Sequence, residues 1–241
     1  MCGPLLVRLG DARVENELPG RQGRQIAAYL IVNRARSVTR EELLDALWWR
    51  DRPEGASGTL STLMSRVRRV LGEERVRGKS ELRLVLPADA WVDIEVAARA
   101  VHVAESAVAQ GDYRRAWAPA RSALNAAKRG FLPGHEAPWI DQKRDDVANL
   151  HVRALEAIAQ AGLGLGGTEL ASVERAARSL IVAAPYRESG YRYLMEYLAV
   201  RGDAAEALQV YDRLRRLLAE ELGTAPGPAL QQLHRELLGR G

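Results

Sequence analysis

"TLSTLMSRVRRVLG", Thr59 to Gly72, decides how the rest of the chain is read. At 100° per residue its apolar side chains fall together, with Leu60, Leu63, Met64, Val67, Val70 and Leu71 on one helical face. The opposite face carries Ser61, Thr62, Ser65 and Arg69, and Arg66 and Arg68 stand on its shoulders. Small hydroxyl side chains flanked by arginines suit a helix that lies close against a polyanion. A helix that merely decorates its solvent face with arginine would show the same apolar stripe. The flanking elements separate the two readings.

Upstream, "LLVRLGDARVE" (Leu5 to Glu15) alternates apolar and polar residues and predicts a strand pair around Gly10–Asp11. "RQIAAYLIVN" predicts a short apolar helix. "SVTREELLDALWW" carries a helix start: Thr39 as N-cap, Glu42 as capping-box partner, and Val38 with Leu43 as staple. "RDRPEGASG" is a Pro- and Gly-bearing loop, after which Ser57 or Thr59 is expected to cap the third helix. Past Gly72, "RVRGKSELRLVLP" predicts a hairpin turning at Arg77-Gly78-Lys79-Ser80, with Leu82, Leu84 and Leu86 alternating along its second strand. Strands, three helices and a basic hairpin in that order describe a winged helix-turn-helix, whose third helix lies in the DNA major groove. In that setting Ser61, Thr62 and Ser65 allow close approach to base edges, and Arg69 reaches guanine O6 and N7. Arg66 and Arg68 point to the phosphate walls, and Arg77 and Lys79 at the hairpin tip reach an adjacent minor groove or backbone.

Charge follows the same division. Residues 1–90 hold 16 Arg or Lys against 12 Asp or Glu, whereas residues 91–241 hold 19 of each, so the whole excess of +4 lies in the first part. Ser57 to Arg83 alone contains seven basic and three acidic residues. A local basic surface of this kind attracts a polyanion and gains from counterion release. The single cysteine, Cys2, allows no internal disulfide, which fits a reducing cytosol. Neither a signal peptide nor an apolar run of bilayer length occurs, so a soluble cytoplasmic protein without membrane contact is expected.

From Ala90 onward the pattern is helical throughout. Gly111-Asp112…Ala116 and Gly202-Asp203…Ala207 repeat the same turn 91 residues apart. Around the second, Tyr191, Leu194, Leu198, Gly202, Ala207 and Tyr211 fall at the offsets of a tetratricopeptide (TPR) repeat. Small residues let paired helices approach and large ones fill the groove between them. "ELASVERAARSLIVAAP" reads as half of another unit with Ala176 as its small residue, giving about three helix pairs. The expected fold class is therefore mainly α. A winged helix with small sheets over 1–89 precedes an all-α, TPR-like domain over 90–241.

These motifs also resemble a known family. "ELLDALW" (Glu42 to Trp48), "TLSTLMSRVRRVLG", "AVAQGDYRRA" (Ala107 to Ala116), the segment from Leu180 to Gly223 and "GTAPGPALQQLH" (Gly223 to His234) are similar to the Streptomyces antibiotic regulatory protein family. In that family an OmpR-type winged helix precedes a bacterial transcriptional activator domain. The resemblance implies a transcriptional activator that binds promoter direct repeats, often as a homodimer, and contacts RNA polymerase. Its hairpin "RGKSELRLVL" departs from the family's usual Gly-Tyr-Arg-Leu turn.

Enzyme readings find no support. His102, His135, His151 and His234 show no metal-ligand spacing, and no Gly-x-x-x-x-Gly-Lys-Ser/Thr occurs. "AGLGLGGTE" (Ala161 to Glu169) follows a helix rather than a strand and is expected to be an interhelical loop. "FLPGHEAPWIDQKRDD" is expected to be a structured loop before a helix. No cofactor is implied. The alternative to a DNA-binding regulator is a TPR-type scaffold whose basic first domain binds an acidic protein, but a scaffold has no need of the Ser61–Ser65–Arg69 strip beside a basic hairpin.

Overall fold

The structure is a computed structural model and describes residues 1–239. It is mainly α-helical with small sheets, and its contacts group the chain into two compact units. One comprises Met1–Val96 together with Lys128–Ala148, the other Ala97–Ala127 together with Asn149 onward.

The first unit contains the winged-helix elements. Strands β1 (Arg8–Leu9) and β2 (Ala12–Arg13) pair antiparallel around Gly10–Asp11. Helix α1 (Gly20–Val32), strand β3 (Val38–Thr39), helices α2 (Arg40–Leu47) and α3 (Ala56–Leu71), and strands β4 (Val76–Arg77) and β5 (Glu81–Leu84) follow. Strand β5 is the centre of a three-stranded antiparallel sheet between β3 and β4. Its alternation buries Leu82 and Leu84 and leaves Glu81 and Arg83 exposed. Leu60, Met64, Val67 and Leu71 turn the apolar stripe of α3 inward, where Ile26, Leu30 and Leu43 are also fully buried.

The start of α2 follows the sequence closely. Thr39 Oγ1 accepts the Glu42 amide at 3.1 Å, and the Glu42 carboxylate accepts the Thr39 amide at 3.3 Å. Desolvation works against ionised Glu42, but hydrogen bonds from Arg36 and the Thr39 amide outweigh it and hold the carboxyl below its usual range. The start of α3 does not follow the expectation. Neither Ser57 nor Thr59 caps it, because the helix begins at Ala56 after Gly55 in the left-handed region (φ 75°). The Ala56 amide donates to the Pro53 carbonyl at 3.1 Å, so the Pro-Glu-Gly turn satisfies the first amide of the helix in place of a side-chain cap.

The segment 128–148 is more than a loop. Phe131 bridges to Cys2 and Gly3, and the Trp139 ring stands edge-on to Tyr29 at 5.1 Å and to Phe131 at 6.2 Å. Trp139 Nε1 donates to the Ala46 carbonyl at 3.2 Å. Leu132 sits at φ 43°, a strained position for a side chain with a Cβ. Arg144 holds that turn by donating to the carbonyls of Phe131, Leu132 and His135 at 3.2, 3.1 and 2.6 Å. The segment is a strap fastened onto the first unit by its aromatic side chains. Burial and the nearby Asp93 carboxylate push the Cys2 thiol beneath it up to about 11, which makes it unreactive.

The remaining helices are α4 (Asp93–Ala109), α5 (Tyr113–Ala127), α6 (Pro138–Leu165), α7 (Leu170–Ala183), α8 (Glu188–Arg201), α9 (Ala204–Leu222) and α10 (Pro228–Leu238). Ala116 and Ala207, the repeat-related small residues, are both completely buried. Tyr191, Leu194, Leu198 and Tyr211 fill the core around Ala207, and Ala176 is buried on α7. The glycine-rich stretch corrects the expectation of a loop: α6 continues to Leu165, and only Gly166 onward leaves the helix. A Cβ at Gly164 would run into the Tyr113 ring, and one at Gly162 would come within 2.6 Å of Val173. These glycines permit close helix packing.

Candidate nucleic-acid interface

The first unit presents one face without carboxylate partners. Arg66 and Arg69 are exposed on α3 and make no ion pair or hydrogen bond among the described residues; the same holds for Ser65. On the hairpin, Lys79 and Arg83 are equally unengaged, and Arg77 gives only its Nε, to the Glu74 carbonyl at 3.1 Å. Elsewhere in this unit several arginines are paired with carboxylates. Arg34 forms a two-pronged pair with Glu95 (2.7 and 2.5 Å), and Arg52 reaches Glu41 and Asp45 at 2.5 and 2.6 Å.

Two of the hydroxyl residues are held locally. Ser61 Oγ donates to the Ser57 carbonyl at 2.9 Å and accepts from Arg40 at 2.7 Å. Thr62 Oγ1 donates back to the Gly58 carbonyl at 3.3 Å, and the residue stays exposed. Arg68 is also committed. Its Nε donates to the Val76 carbonyl at 3.2 Å and its Nη2 to the Gly78 carbonyl, so the guanidinium ties the end of α3 to the hairpin. It is half-buried there instead of standing free on the shoulder of the helix. Gly78 makes that turn possible: at φ 88° any Cβ would collide with the Glu81 carbonyl.

Two contributors escaped the sequence reading. Arg40, the first residue of α2, braces the start of α3 through Ser61 and the Ser57 carbonyl (3.2 Å). No local pattern signals this contact, which joins two helices across a loop. Arg83 faces Arg77 directly in the β4–β5 register. Like charges opposite one another destabilise a hairpin, and an anion between or beside them removes that penalty. The period-2 burial of β5 already placed Arg83 outward.

Chemically, the face combines a helix of groove-entering width with a basic β-ribbon. It carries a forked donor at Arg69, small polar groups at Thr62 and Ser65, and point charges at Arg66 and Lys79. No helix among the described residues is long and apolar enough to cross a membrane.

Comparison with known proteins bears on the same residues. Residues 92–238 match the family described as bacterial transcriptional activator domain, and residues 18–83 match transcriptional regulatory protein, C terminal. The regulatory protein AfsR of Streptomyces griseus is 31% identical over 238 residues, covering 99% of this chain and 24% of AfsR. AfsR of Streptomyces coelicolor is 34% identical over 226 residues, covering 90% of this chain and 22% of that protein. The chain thus spans about a quarter of the length of these relatives. The fold is similar to that of Mycobacterium tuberculosis EmbR, solved with a low-affinity phosphopeptide. The TM-score is 0.87 at 22% identity, over 99% of this chain and 64% of the EmbR chain.

Proposed function

This chain belongs to the Streptomyces antibiotic regulatory protein family of transcriptional regulators, which are not enzymes, and from that premise we propose that it binds promoter DNA and activates transcription. The DNA-binding part is residues 1–89 and the activator domain residues 90–241; the compact unit that holds the first also takes in 90–96 and the strap at 128–148. Helix α3 enters the major groove. Arg69 reads guanine, Thr62 and Ser65 approach base edges, and Arg66 contacts a phosphate. Lys79, Arg77 and Arg83 place the hairpin on neighbouring backbone. Ser61 and Arg68 act by position: the first locks the start of α3 through Arg40, and the second fixes the angle of the hairpin.

The observation that carries this reading is the contrast in pairing. Arg66, Arg69, Lys79 and Arg83, together on α3 and the hairpin, lack carboxylates, while Arg13, Arg34, Arg36 and Arg52 of the same unit have them. Direct repeats bound by a homodimer, with RNA polymerase recruited by the helical domain, complete the proposal; the family relationship supports them. Selection of bound duplexes from a random DNA pool by the full chain tests it. A shared half-site enriched in two direct copies is the expected result. Retention of the pool without any shared sequence would leave only nonspecific polyanion binding and would defeat the proposal.

A further inference from the structure

The helical unit holds a cleft of about 270 Å³ that the DNA-binding proposal leaves unused. Its walls are one face of α5, carrying Trp117, Arg121 and Leu124, and one face of α7, carrying Ser172, Arg175 and Ser179; Leu155 and Ile158 of α6 form the floor. The spacings 117, 121, 124 and 172, 175, 179 are helical, so each set projects from a single stripe into the cleft. Gly162, lacking a side chain, lets Trp117 and Val173 close in on α6.

The charged lining is of one sign, beside the neutral Asn125, Ser172 and Ser179. No carboxylate lines the cleft. Arg175 gives one bond, to Ser172 Oγ at 2.9 Å, and Arg121 makes none among the described residues. Elsewhere in this unit Arg153, Arg178, Arg187 and Arg192 each meet a glutamate between 2.5 and 3.2 Å. Two guanidinia without carboxylate partners, beside the apolar side chains of Trp117, Leu155 and Ile158, form a site for an anion with an apolar body. A volume just below the range of small-molecule sites (from roughly 300 Å³) favours a compact molecule over a polypeptide.

We propose that the cleft between α5 and α7 binds a small amphipathic carboxylate, whose acid group is held by Arg121 and Arg175 and whose aromatic or acyl body rests on Leu155 and Ile158 beside Trp117. Two forked donors match a carboxylate's two oxygens, and Ser172 keeps Arg175 oriented in the empty site.

Calorimetric titration of the full chain with phenylacetate and indole-3-acetate, beside their uncharged amides, provides the test. One-to-one saturable binding of the acids is expected, with the amides weaker by roughly tenfold or more. Arg121→Gln and Arg175→Gln should each weaken the acids by a similar factor while leaving the amides unchanged. Both side chains are exposed, so unaltered melting temperatures should confirm that the variants fold. Absence of saturable binding by either acid would overturn the proposal, as would acids and amides binding alike. Binding of an acidic, aromatic peptide without binding of the small acids would overturn it in favour of a protein-docking groove.

Discussion

Both compact units hold paired and unpaired arginines, but they place them differently. In the helical unit, Arg153 with Glu105, Arg178 with Glu174 and Glu206, and Arg192 with Glu196 tie helices together or brace a single turn. In the winged-helix unit Arg34 and Arg52 are paired with carboxylates, whereas Arg66, Arg69, Lys79 and Arg83, which share α3 and the hairpin, are not. Neighbours in sequence divide the same way. Arg68 spends its donors on the carbonyls of Val76 and Gly78, whereas Arg69 spends none. Charge that serves the fold has its partner within the fold; several cations left without one on a single face suit an anionic partner from outside.

The largest predicted effect attacks the winged-helix unit from far along the chain. Phe131→Ala removes a side chain that is 1% exposed and wedged between the N-terminal backbone and Trp139, costing about 3–5 kcal/mol. Denaturant unfolding should show this unit losing stability, with DNA binding failing at a lower temperature. An unaltered first unit would mean that the strap only decorates it. Ala207→Leu attacks the other unit. The position is completely buried where α8 meets α9, so overpacking should cost about 1–3 kcal/mol and reduce reporter transcription while DNA binding persists. Unchanged melting of that variant would remove the repeat reading of the segment.

Arg68→Ala should loosen the hairpin and weaken all DNA binding by about 1–3 kcal/mol without lowering the salt dependence, since its charge meets carbonyls. Arg68→Lys should not rescue it, because an ammonium lacks the fork that spans two carbonyls. A salt slope shallower by about one would restore Arg68 to the phosphate wall. A smaller effect concerns pH. Burial, then the nearby Arg21, Arg24 and Arg144, hold the His135 imidazole below its ordinary 6.5. The unfolded chain therefore takes up the proton first, and stability of the first unit falls as pH drops below that value. His135→Gln should flatten this part of a stability–pH curve; an unchanged curve would show that His135 does not contribute to it.

The element order of the winged helix was legible because each element announces itself locally: the Thr39–Glu42 box, the stripe of α3 and the alternation of β5. The repeat was legible because Ala116 and Ala207 recur after the same Gly-Asp turn. What stayed hidden depends on contacts distant in sequence. Trp139 finds the Ala46 carbonyl 93 residues away, and Arg40 finds Ser61 across a loop. The glycines at 162 and 164 mislead for a related reason. They resemble loop residues until Tyr113 and Val173 arrive from other helices to occupy the space a side chain would need. Helical periodicity likewise placed Arg68 outward, but a long side chain at the edge of a stripe is free to turn toward a hairpin that the periodicity does not include.

The central claim is that unpartnered cations on α3 meet DNA and that Arg69 reads a base. The direct measurement compares wild type, Arg66→Ala and Arg69→Ala on the selected site and on random duplex across a salt series. Arg69→Ala should lower the preference for the selected site by about 1–3 kcal/mol and leave random DNA nearly unaffected. Arg66→Ala should weaken both duplexes alike and reduce the salt slope by about one. Equal losses on both duplexes for Arg69→Ala, or no loss for either variant, would contradict the account.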